Sequence, residues 1–256
     1  MLVDEGLAAA LASRDAVALE EYLVANSGLP GPRLNLRLVG EFADATAQAE
    51  YTGQVEPLLA RWIALPPGEA PGDGPRVILP CSAAVGYGEL AATRAERFDE
   101  ADDRLYRTAA DTRWRVREAV TLGLQRMLRA DFDSTVAVLL GWADDDDPLV
   151  VRAAAAGVAE PPLLKKHRHA RTALVVQRRA VDRLHRIPAA QRRTEPARVL
   201  RQALGFTISV AVAATGDFTL LHEIATADDP DLDWVVRENL KKARLRPWPA
   251  ELASLR

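Results

Sequence analysis

The sequence predicts an all-α protein, an α-α superhelix of about six helix pairs forming one domain over residues 1–256. Three observations predict it. Alanine, leucine, valine and arginine are abundant while aromatic residues make up 5% of the chain, a mix that favours helix over sandwich or barrel. The stretch DTRWRVREAVTLGLQ (111–125) opens an apolar stripe of Val116, Ala119, Val120, Gly123, Leu124 and Met127, spaced as one face of an amphipathic helix. That register then recurs, with an apolar-Arg pair followed by apolar residues at helical spacing.

The recurrences begin at Leu36-Arg37, Val116-Arg117, Val151-Arg152, Leu200-Arg201 and Val236-Arg237, with Pro80-Cys81 standing where the others have arginine. The anchors at 37, 81, 117, 152, 201 and 237 are separated by 44, 36, 35, 49 and 36 residues. A helical unit repeating at such a period cannot bury its apolar face alone and must stack on its neighbours, which is the logic of an α-solenoid.

The elements follow in order. NSGLPGPR (26–33) ends a first helix, with Gly28 as a C-cap candidate and Pro30 and Pro32 blocking continuation. Partner helices are expected at 54–65, 99–110, 133–144 and 216–226, each preceding an anchored helix. The two long spacings hold insertions. PPGEAPGDGPR (66–76) reads as an exposed, mobile loop, and HRHARTALVVQRRAVDRLHRI (167–187) as a longer helix within a basic insertion at 165–195. FTISVAVAA (206–214) alternates like a strand, but its place in the register argues helix.

The bulk numbers restrict the class. With 48% hydrophobic and 27% charged residues the chain is an ordinary globular sequence. One cysteine, Cys81, excludes an internal disulfide and favours a reducing, cytoplasmic setting. The acidic start MLVDEGLAAALASRDAV does not read as a signal peptide, and the longest apolar uncharged run, ALGFTISVAVAATG, is too short for a membrane span. The net charge of −3 is segregated: Lys165 to Arg201 holds 12 Lys and Arg against Asp182 and Glu195, leaving the remainder of the chain at −13.

DTRWRVREAVTLGLQ, DDDPLVVRAAAAGVAE and DPDLDWVVRENLKKA resemble the second helix of HEAT repeats, where an Asp-containing turn leads into a Val-Arg pair. The resemblance covers roughly residues 15–250. It implies a right-handed stack of helix pairs, with Arg117, Arg152 and Arg237 laddered to Asp111, Asp147 and Asp231 or their neighbours, interrupted at Cys81. DTRWRVREAV and DLDWVVREN are also similar to alkylpurine DNA glycosylases built on HEAT-like repeats. That family's Trp-Trp-Asp catalytic run is missing. Trp114 with Glu118, and Trp234 with Glu238, keep an i, i+4 spacing but in the wrong motif. No catalytic residue is assigned.

The candidate sites are therefore binding sites. Lys165, Lys166, Arg168, Arg171, Arg178, Arg179, Arg183, Arg186, Arg192 and Arg193 are the candidates for a protein or nucleic-acid partner. Arg179, Arg183 and Arg186 share one helix face, and the competing reading is a solvated charged face. Trp114 and Trp234 read as packing between repeats, or else as stacking platforms for a base. The anchored arginines read as structural. Metal ligation is not assigned: His167 and His169 cannot share a helix face, and ADDDDP (143–148) reads as a capped turn, not a calcium loop. Cys81 reads as a buried thiol, and no cofactor motif is present. The function expected is a non-enzymatic scaffold offering a curved surface to a protein partner, with DNA or RNA binding through 165–201 as the alternative.

Overall fold

A computed structural model describes residues 4–255, apart from the side chains of Ala49 and Thr52. The first three residues of the acidic start, and Arg256 at the end of the expected domain, lie outside the described residues. Among the described residues there are fourteen α-helices and no strand. The chain divides into two compact units, Met1–Ala130 and Asp131–Arg256.

The first unit holds α1 (Glu5–Ala12), α2 (Ala16–Ala25), α3 (Leu36–Thr46), α4 (Ala49–Ile63), α5 (Ile78–Thr93), α6 (Phe98–Ala109) and α7 (Trp114–Ala130). Aspartates start α1 and α2: Asp4 accepts from the N–H of Gly6 and Leu7, and Asp15 from Val17 and Ala18. Helix α5 is the hub. It packs against α2, α3, α4, α6 and α7, and Ile78 to Gly88 are all buried. A helix apolar all round belongs in such a position. Its small residues set how close its neighbours come. A Cβ placed on Gly88 would lie 2.3 Å from the Gly123 carbonyl oxygen, and one on Gly123 would lie 2.6 Å from that of Ala84. Backbone therefore meets backbone where α5 and α7 cross.

The second unit holds α8 (Phe132–Trp142), α9 (Pro148–Gly157), α10 (His167–Arg186), α11 (Glu195–Thr215), α12 (Thr219–Ala225), α13 (Pro230–Leu240) and α14 (Pro249–Ser254). Asp131, Asp147 and Asp229 cap α8, α9 and α13 through their carboxylates. The apolar faces of α9, α10, α11, α12 and α13 share one core that includes Val151, Leu184, Leu204, Leu221 and Val235. Two fully buried amides register these helices. Gln177 donates to the Ala155 carbonyl (2.8 Å) and accepts from the Thr207 hydroxyl (2.7 Å), while Asn239 donates to the Leu204 carbonyl (2.8 Å) and accepts from the Ser209 N–H (2.8 Å).

All six expected anchors lie in helices, one each in α3, α5, α7, α9, α11 and α13. The alternating stretch 206–214 is helical, inside α11. By length and composition α11 could cross a membrane, which the shorter uncharged run did not suggest, because its first turns carry charges. In the structure 61% of that apolar window is buried, packed against α9, α10 and α13. The loop at 66–76 is mostly exposed, as expected, and is tied to the start of α7 at two points. Ala70 is fully buried, and the Ala70 and Gly72 carbonyls accept from Arg113 (3.0 Å) and Arg115 (2.7 Å).

The glycine crossing gives a first prediction. Gly88→Ala or Gly123→Ala forces backbone apart and should cost about 1–3 kcal/mol or more. Gly53 and Gly141 sit in α4 and α8, where a Cβ would meet nothing within 4 Å, so alanine there should stabilise by up to about 1 kcal/mol. Urea unfolding of the four variants checks this, and equal effects at all four positions would contradict it.

Candidate functional site

The basic segment comes first. Helix α10 supplies Arg168, Arg171, Arg178, Arg179, Arg183 and Arg186; Lys165 and Lys166 precede it, and Arg192 and Arg193 follow it. Acids from elsewhere in the second unit meet many of these charges. Arg168 pairs with Asp133 at 2.9 Å, Arg179 with Asp144 at 2.6 Å and Arg183 with Asp146 at 2.6 Å. Arg178 pairs with Glu223, and Arg192 takes both oxygens of Asp229 at 2.7 and 2.6 Å. Residues 131–256 carry 19 Lys and Arg against 17 Asp and Glu, so the segment's charge is largely balanced within its own unit. Lys165, Lys166, Arg171, Arg186 and Arg193 are exposed, and no hydrogen bond or ion pair engages them among the described residues.

The aspartate run 144–147 is the counterpart of that helix. Asp147 caps α9 and Asp145 accepts from the Asp147 N–H (2.8 Å), while Asp144 and Asp146 face the arginines. The anchored arginines divide. Arg117 and Arg152 are 5% and 6% exposed. Arg117 donates to the Asp111 and Thr112 carbonyls of its own turn (2.8 and 3.0 Å), and Asp111 is held by Arg113 at 2.6 Å. Arg201 crosses to Asp231 and lies 4.8 Å over the Trp234 ring. Arg237 is exposed. The pair that joins successive anchored helices, α11 and α13, is Arg201–Asp231, and Arg201 is not among the arginines expected in the ladder.

The tryptophans also divide. Trp234 is half-buried; its ring presses on α11 at Gly205, where a Cβ would meet Cζ3 at 2.9 Å, and Arg201 covers one face. Trp114 does not fill a seam: it is 55% exposed, with the Arg115 guanidinium 4.4 Å from the ring centre. Beside it lies Leu36, 51% exposed. Together with Pro32, Leu34 and Leu122 they line a groove of about 480 Å³ rimmed by Arg33, Arg115 and Glu118. This groove belongs wholly to the first unit. Sequence reasoning singled out Trp114 but not Leu34, Leu36 or Leu122. The available signal was Leu36, an apolar residue placed directly before an anchor arginine that is itself exposed.

A second concavity, of about 560 Å³, lies in the second unit and is walled by Arg192, Arg193, Arg198 and Arg201 with Pro230 and Asp231. Arg192 is fixed there by the Ile187 carbonyl (2.9 Å), the His185 carbonyl (2.7 Å) and Asp229. Asp229 is 5% exposed. Burial opposes its charge, but hydrogen bonds from Arg192, His185 and the Asp231 N–H outweigh it and hold the carboxyl below its ordinary range.

The remaining candidates are structural. Cys81 is fully buried, and burial pushes its thiol up to about 12. His169 stacks flat on Phe132 with centroids 3.6 Å apart, its Nδ1 3.2 Å from the Leu163 carbonyl, and burial lowers its pKa. Among the described residues no group of three His, Cys, Asp or Glu side chains could hold a metal. No known protein family, curated protein or solved structure matches the chain.

Two outcomes follow. Cys81 should resist a thiol reagent such as DTNB at pH 8 in the folded protein and react on unfolding; prompt labelling of the native state would contradict its burial. Asp229→Asn should cost about 2–4 kcal/mol at neutral pH, since it removes the buried charge that pairs with Arg192 while asparagine keeps the helix cap. Because the folded pKa of Asp229 is lowered, its contribution is complete above the unfolded value of about 3.9 and fades as pH falls through the folded value. The stability gap between wild type and variant in urea should therefore narrow only below about pH 4.

Proposed function

We propose that the chain is a non-enzymatic binding protein, a HEAT-like α-α superhelix of about six helix pairs whose exposed groove receives a protein partner. The observation that carries this reading is the Trp114 groove. A tryptophan and a leucine, each more than half exposed, share a concavity with an apolar lining and a charged rim. Apolar side chains grouped in this way mark association surfaces, and tryptophan with arginine at the edge is the composition of an interface hot spot. Helix anchors that fall in alternate helices support the repeat architecture. Peptides selected by display on the full chain should carry a bulky apolar side chain, and Trp114→Ala should weaken them at least tenfold, about 1.4 kcal/mol. Selection that yields no peptide sensitive to Trp114→Ala or Leu36→Ser would sink the reading.

A second reading, nucleic-acid binding through 165–201, draws on exposed cations with no hydrogen bond or ion pair among the described residues, Lys165, Lys166, Arg186 and Arg193. It predicts DNA affinity that falls steeply with salt, by roughly 0.9 in log K per log salt for each phosphate neutralised. A flat salt response removes it.

A further inference from the structure

The arginine-walled recess of the second unit is a different kind of site from the groove. Its lining sets four guanidinium groups against one carboxylate, Asp231. Two of the four are held rigidly. Arg192 is fastened to two backbone carbonyls and to Asp229. Arg201 is held between Asp231 and the face of Trp234. The other two, Arg193 and Arg198, are exposed, with no hydrogen bond or ion pair among the described residues.

This division matters for recognition. Arg192 already uses its donors within the protein, and Asp231 is offset by Arg201 and by Arg192 at 3.5 Å. The positive charge of Arg193 and Arg198 is therefore uncompensated within the recess. Guanidinium forks match the oxygens of a phosphoryl group in pairs. A concavity of about 560 Å³ is also large enough to admit what the phosphoryl group is attached to, since small-ligand sites run from about 300 to 1,000 Å³.

We propose that this recess binds a phosphoryl group, with Arg193 and Arg198 as the ligating residues and Arg192 and Arg201 as the fixed wall that positions them. The phosphoryl group belongs either to a small phosphorylated compound or to a nucleic-acid backbone. The proposal does not rest on the Trp114 groove.

The test uses the full chain and two probes, inorganic pyrophosphate and a 20-nucleotide DNA, in calorimetric titrations at low salt. At least one probe should bind, and Arg193→Glu with Arg198→Glu should weaken it at least tenfold without lowering the unfolding midpoint. Binding of pyrophosphate assigns the site to small phosphorylated compounds. Binding of DNA alone assigns it to the polymer backbone. Lys165→Glu with Lys166→Glu makes the same change in net charge outside the recess and should leave the affinity near wild type. The proposal is overturned if neither probe binds, if the Arg193/Arg198 variant binds as wild type, or if the lysine variant is equally impaired. Trp114→Ala should leave this binding unchanged, so the groove and the recess fail or survive separately.

Discussion

Arginine side chains that reach back or forward along the chain by 35 to 43 residues organise both units. Arg113 and Arg115 reach carbonyls 43 residues earlier, Arg97 reaches Glu56 across 41 residues, and Arg126 reaches Glu89 across 37. In the second unit Arg168, Arg179, Arg183 and Arg192 span 35 to 37 residues to Asp133, Asp144, Asp146 and Asp229. Exposed pairs of this kind contribute little each. Their common separation makes them a registration device, since each acts between elements that the apolar cores only press together. The cations left outside this pairing, among them Lys165, Lys166, Arg186, Arg193 and Arg198, are exposed.

Close packing supplies what the ion pairs do not. Where α5 and α7 cross, Gly88 and Gly123 leave no room for a side chain, so the two helices meet through backbone and many atoms gain dispersion contacts. In the second unit the corresponding role falls to polar side chains, Gln177 and Asn239, that satisfy buried carbonyls on neighbouring helices. A buried amide fully paired in this way specifies one alignment, because any slip leaves donors and acceptors unmet.

Much of the helical layout was legible in the sequence. The apolar stripe from Val116 to Met127 and its recurrences located α3, α5, α7, α9, α11 and α13, because burial of one face imposes a period that local propensity does not obscure. The basic character of 165–201 was equally plain, but its compensation was not. Counting acids inside the segment finds Asp182 and Glu195, whereas the partners lie one period away at Asp133, Asp144, Asp146 and Asp229. The groove was harder still. Leu34, Leu36 and Leu122 are ordinary helix or loop residues in the sequence, and only the packing of the first unit leaves them open beside Trp114.

One guanidinium links two features of the first unit. Arg115 donates to the Gly72 carbonyl and also lies over Trp114. The 66–76 loop contributes no residue to the groove, yet it fixes the arginine that forms part of the groove's rim. Changes in loop length or composition would thus be transmitted to the tryptophan. Two chains with identical groove residues but different loops would present differently tuned surfaces. The loop would thereby set the groove's rim without lining the groove.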